Sequence, residues 1–220
     1  MSSPLKRIAV TALAVIAFAI AGQAHAAFPV SPVAAINMTT PGSEYSNSLT
    51  LGFKFSVVRN ALVTSLGVFD ASQDGLSAEA QVAIWDTTSH LLTSVTVPSG
   101  TVGELDGFFR YAGIPNFSLL AGTEYIIGAY TISQASSLFA GAGGSGSVDP
   151  NVILVQDAYS AGSGFSFPAQ SDGLSGAWLG ANFRMAPIPE PETYQMLALG
   201  LLAITAVALR RRTSKVKNRV

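Results

Sequence analysis

The 220 residues are 49% apolar and 11% charged, with a formal net charge of −1 and no cysteine. The missing cysteine excludes disulfides, thiolate catalysis and Cys-ligated metals, and it is compatible with export. Residues 27–188 hold four bases (Lys54, Arg59, Arg110, Arg184) against eleven acids, which excludes nucleic-acid binding because phosphates demand Lys and Arg.

The first 26 residues read as a secretory signal. Lys6 and Arg7 form a positive start, residues 8–21 are an uncharged apolar run, and Ala24-His25-Ala26 fits the small-x-small cleavage rule. Ala27 then begins the mature chain. The run reaches roughly 21 Å as a helix, short of a hydrocarbon core of roughly 30 Å, which argues against a permanent anchor. Cleavage removes His25 and leaves His90 as the one mature histidine.

Residues 27–48 are expected as an N-terminal extension or first strand, and residues 49–186 as the body of the domain. Within it, alternation and β-branched residues predict strands over 49–58, 61–69, 80–86, 90–97, 107–114, 123–132 and 177–185. In the first, Leu51, Phe53, Phe55 and Val57 share a face. In the third, Val82, Ile84 and Asp86 share one face, and Ala83 and Trp85 the other. The fold class this implies is mainly β: a single antiparallel β-sandwich, jelly-roll-like, flanked by an N-terminal signal helix and a C-terminal transmembrane helix. Gly/Ser-rich residues 140–150 and 160–176 are expected as flexible loops.

Few residues in the body carry chemistry. After the second strand, Asp70, Ser72, Asp74 and Gly75 match positions one, three, five and six of a calcium loop. Position twelve is Gln81, with Glu79 nearby as a substitute ligand. The same spacing fits an Asp-Gly turn between strands, and both readings stay open. Calcium is the one cofactor these residues suggest. His90 sits in a polar turn with no nucleophile pattern around it. No Gly-x-Ser-x-Gly elbow lies between a strand and a helix. Glu104 and Asp106, two apart on one strand, share a side, but flanking glycines suggest exposure, and a hydrolytic pair needs a desolvated acid. Trp85, with Val82 and Ile84 on its strand, reads as core. Trp178 follows a flexible stretch and is the better ligand platform, with Phe108 and Tyr111 as further aromatics. The threonines of "TSVTV" are too irregular for a flat ice-binding array.

Residues 51–57, 64–70, 82–101 and 119–130 are similar to a β-sandwich domain of unknown function found on bacterial secreted proteins. That resemblance implies a fold and leaves the activity undefined.

The chain closes on "PIPEPETYQMLALGLLAITAVALRRRTSKVKNRV". Residues 194–209 are uncharged, and Arg210, Arg211 and Arg212 begin a basic tail over 210–220. The positive-inside rule puts that tail in the cytoplasm and the body outside, in agreement with the signal peptide. The apolar run spans only about 24 Å, a marginal permanent anchor. Pro189 and Pro191 fix φ and block a helix from propagating, so the segment before Glu192 should be extended, with Glu190 offered between them.

Pro189-Glu190-Pro191, the apolar run and the arginines together resemble the PEP-CTERM sorting signal of Gram-negative bacteria that make exopolysaccharide. Residues 187–220 carry the resemblance. It implies recognition by an exosortase-type membrane protease, cleavage near the motif, and delivery to the surface. The partners expected are the secretion machinery, that protease and extracellular polysaccharide. The function expected is an exported cell-surface or matrix protein of structural or interaction role in biofilm, and not an enzyme. The alternative is a carbohydrate-binding module assisted by calcium.

Overall fold

The computed structural model describes residues 31–41, 43–45, 49–131, 137–139, 144–160, 162, 164–175, 178–188 and 197–205. The chain divides into two units, Ser31–Ile188 and a second formed by Met1–Val30 with Pro189–Val220. The expected signal peptide, with Ala24, Ala26 and Ala27, lies outside the described residues.

In the second unit, residues 197–205 form a helix whose Leu197, Leu199, Leu202 and Ile204 are exposed. Nine helical residues rise about 14 Å. Among the described residues no helix is long and apolar enough to cross a membrane. Of the expected transmembrane helix over 194–209 only this shorter stretch is described, the remainder of that run lying outside the described residues.

Ser31–Ile188 is built from β1 (Val33–Ala34), β2 (Ile36–Thr40), β3 (Ser43–Tyr45), β4 (Thr50–Val57), β5 (Ala61–Phe69), β6 (Ala80–Asp86), β7 (Leu91–Val97), β8 (Glu104–Asp106), β9 (Phe109–Leu119), β10 (Glu124–Thr131), β11 (Ser137–Phe139), β12 (Ser145–Val148), β13 (Val152–Tyr159) and β14 (Ala181–Pro187). One five-stranded sheet has the order β1-β14-β5-β9-β8 and a second the order β13-β4-β10-β6-β7. Two short pairs, β11 with β3 and β12 with β2, complete the set, and these pairings are antiparallel.

Alternation decides which side chains are buried. Leu51, Phe53, Phe55 and Val57 of β4 are each at most 1% exposed, as their shared face requires. Phe53 and Phe55 join Leu66 and Val68 of β5, Ile84 of β6, Ile127 of β10 and Phe183 of β14 in one hydrophobic cluster. Phe55 of the second sheet and Phe183 of the first have ring centroids 4.9 Å apart. Burying each such side chain is worth roughly 1.5–3 kcal/mol. Gly52, between two core residues, is required by a close approach: a Cβ there would lie 1.8 Å from the Ile127 carbonyl oxygen on β10.

The chain departs from the sequence expectations in four places. β13 was not among the expected strands, although "VILVQDAY" carries the apolar residues of one. Its register with β4 shifts between Leu154 and Gln156, and that bulge interrupts the alternation that would have revealed it. The Gly/Ser-rich residues 140–150, expected as loop, contain β12, and the expected strand over 177–185 runs instead as Ala181–Pro187.

The fourth difference concerns residues 160–176, expected as a flexible loop. Their described residues make a tied cover on the outer side of the second sheet. Trp85, 4% exposed, meets Phe165 at 5.4 Å and Phe167 at 6.1 Å between ring centroids. Pro168 closes over Gly128 on the neighbouring strand, where a Cβ would lie 3.3 Å from its Cγ. Tyr159 and Gln170 exchange backbone hydrogen bonds of 2.8 and 2.9 Å. Trp85 is thus buried as expected, beneath a second and smaller apolar layer.

Candidate functional site

The loop after β5 has the acidic spacing of half a calcium site, and it surrounds a cation of another kind. Arg110, from β9, places its guanidinium at the Asp70 carboxylate, Nε to Oδ2 at 2.6 Å. Its Nη1 donates to the Gly103 carbonyl and its Nη2 to the Gln73 carbonyl, both at 3.0 Å. The two side chains are 4% and 2% exposed. Asp70 Oδ2 also accepts from the Gly75 N–H at 3.1 Å. Gly75 adopts φ +121° and lies so close to Gly100 that a Cβ would meet its backbone at 2.8 Å, so glycine is required there.

Of the expected calcium ligands, only Asp70 points inward. Ser72 donates to Asp74, and both are exposed, as is Glu79. Among the described residues no group of three or more His, Asp or Glu could hold a metal ion. The positive charge that Asp70 faces is therefore the guanidinium. The loop turns at residues 71–72, and the guanidinium at Asp70 comes from forty residues downstream.

A second charged cluster is built on the first sheet. Arg184 of β14 pairs through Nη1 with Glu104 at 2.9 Å and through Nη2 with Asp106 at 3.2 Å. Its Cζ lies 4.3 Å from the centroid of the Tyr111 ring, a cation–π distance. Burial, then the Asp106 charge, push the Tyr111 hydroxyl well above its ordinary range. Glu104 and Asp106, weighed as a hydrolytic pair, are thus held as counter-ions to one arginine. Neighbouring Asn182 is fully buried and satisfied: its Oδ1 accepts from Ile36 N at 3.1 Å, and its Nδ2 donates to the Ile36 carbonyl at 2.8 Å.

Beside this cluster opens a cavity of about 530 Å³ whose lining includes Asn37, Asp106, Phe108, Phe109, Ser147 and Asp149. Its lining mixes apolar Ile36, Met38 and Phe109 with polar Asn37, Ser147 and Asp106. Trp178, expected as the ligand platform, does not line it and is half-buried. Phe108, which stands 6.2 Å from Phe69 between ring centroids, does.

His90 lies in the turn expected from sequence. Its Nδ1 is 3.0 Å from Asp86 Oδ2, and the side chain is 80% exposed. The Thr88 hydroxyl donates to Asp86 Oδ1 at 2.8 Å, with the His90 and Thr88 N–H groups adding to it. These bonds hold Asp86 down to about 2, the Thr88 hydroxyl contributing most. The folded value lies below the unfolded one, so the turn's contribution is present above about pH 4 and is lost as pH falls through about 2. Asp86→Asn should therefore lower the melting temperature near neutrality, and the gap to wild type should close between pH 4 and 2 in a thermal-melt series.

Sequence reasoning missed Arg110 and Arg184 as organising residues. The signal lay in the charge count: with four bases among eleven acids, any base on an apolar strand must be paired when buried.

Pro189, Glu190, Pro191, Arg210, Arg211 and Arg212 lie outside the described residues. The comparison with known families identifies them independently: residues 187–212 match the PEP-CTERM protein-sorting motif. The motif supports an exported protein, held at the membrane as an intermediate and processed by exosortase, itself a membrane protein. No curated protein matches the chain. Residues 37–179 match a domain of unknown function, DUF4082, which takes in the Asp70–Arg110 cluster, the Glu104 and Asp106 counter-ions of Arg184, most of the cavity lining and most of the two sheets. On that match the chain belongs to the DUF4082 family, with a PEP-CTERM sorting motif following its last strand.

Proposed function

We propose that this chain is an exported surface protein whose sorting tail is read once and removed. The signal over 1–26 directs secretion, with cleavage between Ala26 and Ala27. The apolar run over 194–209 holds the chain in the membrane, with Arg210, Arg211 and Arg212 on the cytoplasmic side. Exosortase cuts near Pro189-Glu190-Pro191. The product is the β domain, an antiparallel sandwich of jelly-roll type formed by its two sheets, acting as a structural or interaction module at the cell surface or in an exopolysaccharide matrix. The observation that carries this reading is the sorting motif that begins at residue 187, where β14 ends.

Intact mass of the mature protein is the test. The expected product starts at Ala27 and lacks the apolar run and basic tail. Replacing Pro189, Glu190 and Pro191 together by alanine should leave the C-terminus uncut. A wild-type chain that keeps its tail in a strain with active exosortase would sink the reading and leave a plain anchor.

A second reading, a carbohydrate-binding module, is favoured by the cavity that Phe108 lines together with Asp106, Asn37 and Asp149. Aromatic faces and carboxylates are the groups that hold sugars in open sites. On a glycan array the mature chain would show saturable binding to one sugar, lost in Phe108→Ala. Loss in Trp178→Ala instead would move the site to the tryptophan.

A further inference from the structure

The chain leaves the β unit at the end of β14. Pro187, the last residue of β14, pairs with Ala61, and Ala61 with Leu119. The Ile188 N–H still reaches the Asn60 carbonyl at 3.4 Å. Two asparagines tie three loops together here. Asn60 Oδ1 accepts from Ala121 N at 2.8 Å. Asn151 accepts from Arg59 N at 2.7 Å through Oδ1 and donates to the Arg59 carbonyl at 3.0 Å through Nδ2. The Gly122 N–H donates to Val57 O at 2.8 Å. On this tied platform Val58 and Leu120 stand 52% and 56% exposed.

Arg59, between them in the chain fold, is also exposed. The other three bases of residues 27–188 each have a carboxylate partner: Lys54 has Glu124, Arg110 has Asp70, and Arg184 has Glu104 and Asp106. Arg59 makes no ion pair among the described residues. Asp149 accepts from Asn151 N at 2.8 Å and Glu124 faces Lys54 at 3.5 Å, while Glu190 and Glu192 lie outside the described residues. In a strongly acidic domain, the base with no ion pair among the described residues thus lies at the chain exit with two exposed aliphatic side chains.

We propose that this face, made by Val58, Arg59 and Leu120, rests on the lipid surface while the tail is uncut. The proposal rests on the membrane-held intermediate proposed above. Five residues, 189–193, separate Ile188 from the apolar run that begins at Tyr194. Fully extended they reach about 20 Å. A tether that short raises the effective concentration of the exit face at the headgroups to the millimolar range, so a small contact suffices. Val58 and Leu120 enter the interface, and Arg59 meets headgroup phosphates as a guanidinium does. The contact would hold the motif at the depth where a membrane protease works, and it would lapse on cleavage.

The absence of cysteine makes the test direct, because every introduced cysteine is single. Full-length Val58→Cys, Leu120→Cys and Val102→Cys chains are labelled with an environment-sensitive fluorophore. Each is inserted through its tail into vesicles of phosphatidylethanolamine and phosphatidylglycerol carrying a headgroup-depth lipid quencher. Val102, 79% exposed, serves as control because it lies at the other end of β5, about 30 Å along the strand. The expected result is quenching several-fold stronger at Val58 and Leu120 than at Val102, reduced in an Arg59→Glu background. Equal quenching in chains that float with the vesicles overturns the docking and leaves the anchored intermediate standing. Chains that do not float overturn both. Val58→Asp with Leu120→Asp that blocks processing in cells, without lipid quenching of the labels, assigns the face to the protease and also overturns the proposal.

Discussion

Arg110→Met is expected to destabilise the β domain by about 3–5 kcal/mol, the range found when one partner of a buried ion pair is removed. The substitution leaves the Asp70 carboxylate at 2–3% exposure with one backbone donor, Gly75 N. It also strips the Gly103 and Gln73 carbonyls of their donors. Chemical denaturation of the mature domain measures the loss. Asp70→Asn should cost less, because its amide still accepts from Gly75 and keeps the shape of the turn. The double variant Asp70→Leu with Arg110→Met should be more stable than Arg110→Met alone, since it buries no unpaired charge. A double variant that loses the sum of the Asp70→Leu and Arg110→Met single losses would mean that the pair acts as two independent packing groups. The same variants speak to calcium. An ion entering this loop must displace the guanidinium, so wild type should show no calcium-linked rise in melting temperature, and a rise confined to Arg110→Met would mark a latent site.

How much of this was legible in the sequence depends on the range of each interaction. Alternation is local, so β4, β5, β6 and β10 could be read as strands, with the shared face of Leu51, Phe53, Phe55 and Val57 on β4, and Val82 and Ile84 of β6 lie together in the core as their spacing required. β13 was hidden by its bulge. The cover at residues 164–175 was hidden by composition: glycine and serine suggested a mobile loop, while the informative residues were Phe165, Phe167 and the distant Trp85. The acidic turn was visible, but its spacing carries no information about which cation sits within it. Arg110 reaches Asp70 across 40 residues and Arg184 reaches Glu104 across 80, and no local pattern joins them. The tail was the reverse case. Its recognition depends on a short linear motif followed by an apolar run and bases, so the sequence holds nearly all of the signal and the fold adds only where the motif departs from the domain.

Asp157 supplies the second large effect, because one carboxylate ties down the whole cover. It is fully buried. Oδ1 accepts from the Leu174 N–H at 2.8 Å and the Ser171 hydroxyl at 2.9 Å, and Oδ2 from the Asp172 N–H at 3.0 Å. Burial alone would raise its pKa, but these donors outweigh it and hold the group below the ordinary aspartate value. In Asp157→Asn the new amide N–H confronts the Asp172 N–H or the Leu174 N–H, whichever way it turns. Hydrogen bonds to a charged group contribute roughly 1.5–3 kcal/mol each, so the expected loss is about 3 kcal/mol. Because the folded pKa is depressed, the stabilisation is complete above about pH 4 and falls away as pH drops through the folded value. Wild type should therefore approach Asp157→Asn in stability below pH 4 and separate from it above. The loss should also show where the cover sits. In a Trp178→Phe background, Trp85 reports alone, and Asp157→Asn should shift its emission to the red and open it to iodide quenching near neutral pH. Unchanged emission with the full stability loss would mean that Phe165 and Phe167 stay on Trp85 without the carboxylate, and that the aromatic contacts hold the cover by themselves.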